Sequence, residues 1–138
     1  MTASTSAEQT AGLRRISVLL FSDNRATRDA VRVGVGSHPD PTVQVEEWME
    51  CATAPAVELA LNEGDFDVLV LDGEAQPYGG LGLCRQLKNE IFDCPPVLVL
   101  TGRPNDNWLA SWSLADAVVA HPLDPAALAS AITRLARS

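Results

Sequence analysis

Acidic, hydroxyl and imidazole side chains follow the apolar runs of this 138-residue chain, at the point where each run ends. Asp23 comes shortly after "ISVLLF", and both Asp72 and Glu74 follow "FDVLVL". Thr101 closes "PVLVLT", and His121 follows "DAVVA". A carboxylate at the end of a buried run is costly unless it is paired or takes part in a reaction. These side chains are therefore the candidates for chemistry.

Phosphoryl chemistry fits this set of residue types. Two carboxylates that lie close together repel unless a cation sits between them, and a hard divalent ion such as Mg²⁺ prefers oxygen ligands. Such an ion would leave positions open for a phosphoryl group, and Thr101 could donate a hydrogen bond to one of its oxygens. Asp72 would then be the nucleophile, as in enzymes that form aspartyl-phosphate intermediates.

Five β-rich runs must position these residues. Segments of helix length separate the runs at a regular spacing. This alternation predicts βαβ units and a parallel sheet. In an open parallel sheet, ligands bind outside the carboxyl ends of the strands, so the polar residues are expected to converge on one edge. The first, third and fourth runs are continuously apolar and predict central strands, whereas the second alternates and predicts an edge strand. The runs are 16–21, 43–48, 66–71, 96–101 and 116–120.

Helix signals occupy the intervening segments. Asp124 before Pro125 is typical of an N-cap followed by a first-turn proline, and Thr53 with Pro55 gives a similar start. The third segment carries one apolar stripe at spacings of three and four residues, formed by Leu81, Cys84, Leu87 and Ile91. The first helix, over about 25–34, and the fourth, over 108–114, are less regular.

Length and composition indicate one domain, with residues 1–14 as a disordered tail and 15–138 as the folded part. The formal net charge of -8 opposes direct nucleic-acid binding. Neither a signal peptide nor a membrane span is expected, because the first apolar run has only six residues. Three cysteines without metal-ligand spacing predict reduced thiols and a cytoplasmic protein.

Over residues 15–137 the chain resembles the receiver domains of two-component response regulators. The resemblance lies in "VLLFSDNRATRDAV", "DFDVLVLDGEAQPYGGLGLCRQLK", "PPVLVLTG" and "ADAVVAHPLDPAALASAI". It implies the flavodoxin-like receiver fold, an α/β five-stranded parallel sheet in the order 2-1-3-4-5 flanked by five helices, with no output domain. By position, Asp72 matches the phosphate-accepting aspartate, and Thr101 matches the switch hydroxyl. Asp23 matches one acid of the Mg²⁺-binding pair, Glu74 stands where a backbone carbonyl completes the ligands, and Gly80 matches the loop glycine.

Several positions depart from the family pattern. Ser22 stands where the first acid of the metal-binding pair is usual, and His121 stands at the position of the lysine that clamps the phosphoryl group. A neutral imidazole supplies far less positive charge than an ammonium group. Val118 occupies the place of the switch aromatic, Gln76 replaces the residue before the loop proline, and Pro77 is shifted by one place. These departures predict a degenerate Mg²⁺ and phosphate pocket.

The leading interpretation is an atypical single-domain response regulator that acts in signal transduction by binding other proteins, through the surface of the fourth helix, fifth strand and fifth helix. The family implies a histidine kinase as a second partner, and a homodimer is left open. We expect no enzymatic activity beyond self-phosphorylation and dephosphorylation on Asp72.

Three alternatives stay open from the sequence. The first is a small phosphatase or phosphotransferase of the haloacid-dehalogenase-like type with Asp72 as nucleophile, to which Asp72-Gly73-Glu74 is a loose match. The second is that His121 only precedes a proline, in a cis bond that shapes the loop. The third concerns Trp108 and Trp112, which either pack in the core or form an exposed patch that binds a partner.

Overall fold

The computed structural model describes residues 13–75, 79–103, 106 and 108–137. The strands are β1 (Arg14–Phe21), β2 (Val43–Cys51), β3 (Val68–Asp72), β4 (Val97–Thr101) and β5 (Ala117–Ala120). The helices are α1 (Arg25–Val35), α2 (Ala54–Glu63), α3 (Gly80–Glu90), α4 (Trp108–Ser113) and α5 (Pro125–Arg137). The strand β1 begins at Arg14, the last residue of the predicted tail, and residues 1–12 lie outside the described part.

All five strands join one sheet in the order β2-β1-β3-β4-β5, and every neighbouring pair is parallel. This confirms the predicted order. The second strand is an edge strand as expected, and the three continuously apolar runs form β1, β3 and β4, the central strands. Burial on both faces explains why these runs do not alternate between apolar and polar residues.

Side-chain caps begin three of the helices. The Asn24 side chain accepts hydrogen bonds from the backbone N–H groups of Ala26 and Thr27 at the start of α1. Thr53 accepts from Ala56 N (3.2 Å) at α2, and Asp124 accepts from Ala126 N (3.2 Å) at α5. These bonds satisfy amide groups that have no partner within the helix. The caps predicted at Thr53 and Asp124 are therefore present.

The core lies in two layers, one on each face of the sheet. On one face, α1 and α5 pack against the strands through Val31, Val35, Leu128, Ile132 and Leu135. On the other face, α2 and α3 pack through Val57, Ala60, Leu83, Cys84 and Leu87. Full burial of an aliphatic side chain contributes about 1.5–3 kcal/mol, so these layers hold the strand ends in fixed positions. None of the described helices has the length and apolar character that crossing a bilayer requires.

Close backbone packing joins the end of β3 to the start of α3. A Cβ atom at Gly80 would lie 2.6 Å from the Asp72 carbonyl oxygen and 2.7 Å from its carbonyl carbon. Only glycine allows this approach without a backbone shift. The first residue of α3 therefore packs directly against the backbone of Asp72.

Candidate functional site

Asp72 ends β3 and is almost completely buried, with 3% of its surface exposed. Its Oδ2 accepts a hydrogen bond from the Ser22 hydroxyl at 2.7 Å. Its Oδ1 accepts from the backbone N–H of Glu74 at 2.9 Å. Each oxygen of the carboxylate therefore has a donor within the protein, and both donors are neutral groups. Charge-assisted hydrogen bonds of this kind are short and contribute about 1.5–3 kcal/mol each.

Ser22 is held in place from two directions. Its hydroxyl is fully buried and also accepts a hydrogen bond from Asn24 N at 3.1 Å. Its carbonyl accepts from Arg28 Nη1 at 2.7 Å, and the same guanidinium forms an ion pair with Glu50 on β2. The loop after β1 is thus fixed between α1 and the edge strand. This fixation keeps the Ser22 hydroxyl directed at Asp72.

A cavity of about 410 Å³ opens beside Asp72 at the carboxyl edge of the sheet. Among the described residues that line it, none is a lysine or an arginine, and His121 is the only basic side chain. The lining residues are Asp23, Asn24, Thr27, Asp72, Glu74, Gly102 and His121. Three carboxyl side chains in one cavity oppose the entry of an anion. The predicted convergence of Asp23, Asp72 and His121 on this edge agrees with the structure.

The Glu74 side chain extends from the loop after β3 to the loop after β4. A Cβ atom at Gly102 would lie 1.6 Å from Glu74 Oε1 and 2.7 Å from its Cδ. The carboxyl group therefore rests on the Gly102 backbone, in space that any other residue would fill. Glu74 was predicted for its backbone carbonyl, but its side chain also forms part of the cavity wall.

Thr101 lies at the end of β4 and is buried. Its hydroxyl donates to the Arg103 carbonyl oxygen at 3.4 Å, and its own carbonyl accepts from His121 N at 2.8 Å. Gly102, the next residue, forms part of the cavity wall. The His121–Pro122 bond is cis, and Val118 is half-buried on β5 opposite Val99 of β4. The predictions for Gln76 and Pro77 lie outside the described residues.

The oxygen donors at this edge of the sheet fit a magnesium ion poorly. Within the described ranges, no three His, Cys, Asp or Glu side chains form a group that could hold a metal ion. Next to Asp72, the position of a second carboxylate is taken by a hydroxyl that already donates its proton to Oδ2. The donor set of Asp23, Asp72 and the Glu74 carbonyl is therefore a poor fit to Mg²⁺, which favours several oxygen ligands in octahedral geometry.

Three residues of this site were not assigned a role from the sequence. Arg28 lies in an ordinary helical pattern, and nothing in its spacing indicates that it reaches the Ser22 carbonyl. Thr27 lines the cavity from the first turn of α1. Gly102 follows Thr101 at the end of β4. The absence of a side chain at this position is the one feature of the sequence that indicates that the Glu74 carboxyl lies there.

Comparison with known proteins decides the family. Response regulatory proteins from two strains of Mycobacterium tuberculosis are each 46% identical to this chain over 121 residues, which cover 88% of this chain and 91% of the relative. This chain is a member of the response regulator receiver family. No family model matches the sequence.

Solved structures give the same fold at low sequence identity. A receiver domain from Francisella has a TM-score of 0.74 and 15% identity, covering 88% of this chain and 97% of that one. The receiver domain of NtrX from Brucella abortus has a TM-score of 0.74 and 19% identity, covering 88% and 98%. A chemotaxis response regulator of Vibrio cholerae has a TM-score of 0.69 and 19% identity, covering 86% and 97%. The flavodoxin-like receiver architecture expected from the sequence is confirmed.

Proposed function

We propose that this receiver is atypical: it transmits signals through protein–protein contacts, and its acceptor pocket responds weakly or not at all to phosphorylation. Asp72 is the candidate phosphoacceptor, and a histidine kinase is the candidate donor. The proposal includes the surface of α4, β5 and α5 as the site of output and a cytoplasmic location in which the three free cysteines stay reduced. Catalysis is limited to self-phosphorylation and dephosphorylation on Asp72.

The observation that carries the proposal is the buried hydrogen bond between Ser22 and Asp72. A nucleophilic carboxylate needs an accessible oxygen lone pair and a cation that offsets the incoming phosphoryl charge. Here one oxygen is bound by a fully buried hydroxyl and the other by a backbone N–H. Both bonds stabilise the ground state of the carboxylate, so they lower its tendency to attack.

The charge of the cavity supports the same conclusion. A phosphoryl donor brings negative charge toward Asp23, Asp72 and Glu74, which line one space. At 4 Å, two unit charges interact by roughly 4 kcal/mol when the effective dielectric constant is about 20. His121 is the single basic side chain among the described lining residues, and a neutral imidazole does not offset this repulsion.

The switch residues support weak coupling to phosphorylation. Val118 is half-buried on β5, and its small aliphatic side chain has no aromatic ring that could swing inward when the Thr101 hydroxyl moves. Thr101 already donates to a carbonyl of its own loop. A phosphoryl group on Asp72 would therefore have few means of altering the outer surface.

Mass spectrometry tests this proposal. The protein is incubated with acetyl phosphate and Mg²⁺, and its intact mass is compared with that of Asp72→Ala. We expect little or no Asp72-dependent gain of one phosphoryl group. Rapid and complete labelling of Asp72 would overturn the proposal in favour of a conventional receiver, and steady turnover of p-nitrophenyl phosphate would favour the haloacid-dehalogenase-like alternative.

Two repair variants locate the defect. Ser22→Asp restores an acid beside Asp72, and His121→Lys places an ammonium group at the cavity wall. We expect the double variant to be labelled at least about tenfold faster than the unchanged chain, a difference of about 1.4 kcal/mol in activation free energy. Arg15→Lys, a conservative change on the exposed start of β1, is the matched control. If the double variant is labelled no faster than this control, the weakness does not lie in the charges at these two positions.

A further inference from the structure

Two large aromatic side chains lie exposed on the short helix α4. Trp108 is 69% exposed and Trp112 is 49% exposed. They are four residues apart, so they lie on the same face of the helix. Single exposed apolar residues are common on protein surfaces, but two neighbouring indoles at one place are typical of a binding surface.

A guanidinium from α3 is fixed against Trp112, one member of this pair. The Cζ of Arg85 lies 5.0 Å from the centre of the Trp112 ring, within the range of a cation–π contact. Its Nη1 also donates to the Trp112 carbonyl oxygen, which lies in the last turn of α4 where carbonyls lack helical partners. Arg85, Trp108 and Trp112 are called the Trp–Arg surface below. It lies on the side of α4 that faces α3.

Arg85 has no acidic partner in the described part of the chain. Ion pairs within 4.0 Å engage six other basic residues there, namely Arg14, Arg28, Arg32, Lys88, Arg103 and Arg137, whereas no such contact involves Arg85. A guanidinium carries five N–H donors in a planar fork that matches a carboxylate. Because Trp112 already orders this fork, binding a carboxylate there costs less side-chain entropy than it would at a mobile arginine.

Local charge decides which partner fits. The chain as a whole carries a formal charge of -8, which disfavours acidic partners at long range. Screening limits that effect, since the Debye length is about 8 Å at physiological ionic strength. At contact distance, Arg85 supplies a positive charge that has no acidic partner among the described residues.

We propose that the Trp–Arg surface binds an acidic segment of another protein, in which an Asp or Glu side chain lies next to a large apolar side chain. The carboxylate pairs with Arg85, and the apolar side chain packs on the indoles of Trp108 and Trp112. This surface shares α4 with the proposed output surface of α4, β5 and α5 and adds Arg85 of α3 to it. The inference relies on the proposed function only in assuming that output passes through protein contacts.

A displayed library of random 12-residue peptides tests the inference. The unchanged protein is the bait at 0.15 M salt, and enriched peptides are synthesised for calorimetry. We expect them to combine an acidic residue with Leu, Phe or Trp. We also expect Arg85→Gln and Trp108→Ala each to weaken binding about tenfold or more, and higher salt to weaken binding to the unchanged protein but not to Arg85→Gln.

Controls separate this result from misfolding and from self-association. Arg15→Gln removes another exposed arginine that forms no ion pair in the described region, and it should leave the affinity unchanged. If Arg85→Gln disturbs α4, Trp108→Ala still tests the surface, because Trp108 has no role in holding Arg85 in the contacts described. The inference is overturned if no peptide is enriched, if both surface variants bind as tightly as the control, or if light scattering shows a dimer that Trp108→Ala dissociates. None of these outcomes depends on whether Asp72 accepts phosphate.

Discussion

The Asp72 cavity and the Trp–Arg surface differ in how their charged groups are satisfied. In the cavity, the central carboxylate is buried and has a neutral donor on each oxygen. On the surface, the central guanidinium is ordered by an indole and a carbonyl but has no acidic partner in the described region. The carboxylate of the first region has a hydrogen-bond donor for each oxygen, whereas the half-buried guanidinium of the second has no carboxylate beside it among the described residues. This difference underlies the two proposals, weak phosphorylation of Asp72 and recognition of an acidic segment at Arg85.

Replacing Gly80 by alanine should have the largest effect, because this residue joins the two regions. It packs on the carbonyl of Asp72 and opens α3, which carries Arg85. A Cβ atom at 2.6 Å from a backbone oxygen forces a backbone shift, and we expect the free energy of unfolding to fall by about 3 kcal/mol. Urea denaturation measures this change.

Gly64→Ala is the matched control for that variant. Gly64 also lies at a helix end, but the nearest atom to its added Cβ would be 3.9 Å away. Its effect on stability should stay within about 1 kcal/mol. Equal effects of the two substitutions would show that backbone crowding at Gly80 is not what couples the regions.

Ser22→Ala should have the next largest effect, and it tests the hydrogen bond that the Ser22 hydroxyl donates to Asp72. Removing the hydroxyl leaves one oxygen of a buried carboxylate without its donor, which costs about 1–3 kcal/mol. A double-mutant cycle with Asp72→Ala isolates the pairwise contribution, since the part of the penalty that comes from the carboxylate should vanish while the lost bond to Asn24 N remains in both backgrounds. Ser130→Ala on the exposed side of α5 is the control. Additive effects in the cycle would contradict the pairing.

Alkaline destabilisation should be the smallest effect, and it concerns the buried face of α3. Cys84 is fully buried behind this helix, and burial raises the pKa of its thiol from 9.0 to about 11. Between these values the folded chain keeps a proton that the unfolded chain loses. The free energy of unfolding must therefore fall as the pH rises through this interval, by about 1.4 kcal/mol per pH unit at most for one thiol.

Cys84→Ala removes this proton linkage. Urea denaturation at pH 8, 9 and 10 under reducing conditions should show a shallower decline for the variant than for the unchanged chain. Peptide binding to the Trp–Arg surface, measured at the same pH values, would show whether ionisation of the Cys84 thiol changes the affinity at Arg85. Parallel stability curves would contradict the raised pKa of Cys84.

Much of the fold follows from local patterns in the sequence. The uninterrupted apolar runs predicted central strands, and the alternation in Val43, Val45 and Glu47 predicted an edge, because burial on one or two faces determines which side chains are tolerated. Thr53 and Asp124 predicted helix starts through their capping chemistry. These features depend on residues close together in the chain, so they can be predicted from the sequence alone.

The contacts within the site could not be predicted from the sequence. Ser22 and Asp72 are 50 residues apart, and their 2.7 Å bond depends on the register between β1 and β3. Arg85 and Trp112 are 27 residues apart, and their contact requires α3 and α4 to lie side by side. The sequence also left open whether the two tryptophans pack in the core. Burial of an amphipathic side chain depends on which neighbours reach it.

The sequence by itself determined the receiver family, the order of the elements and the arrival of Asp23, Asp72 and His121 at one edge of the sheet. The family and the strand order were implied by motifs that resemble receiver domains, whereas hydrophobic periodicity and the direction of parallel strands predicted the shared edge. Only the tertiary structure decided that Ser22 donates a hydrogen bond to Asp72, that Glu74 rests on Gly102, and that Arg85 lies against the Trp112 indole without an acidic partner in the described residues. Those outcomes depend on hydrogen-bond and packing distances of a few ångströms, which are fixed only when distant segments fold together.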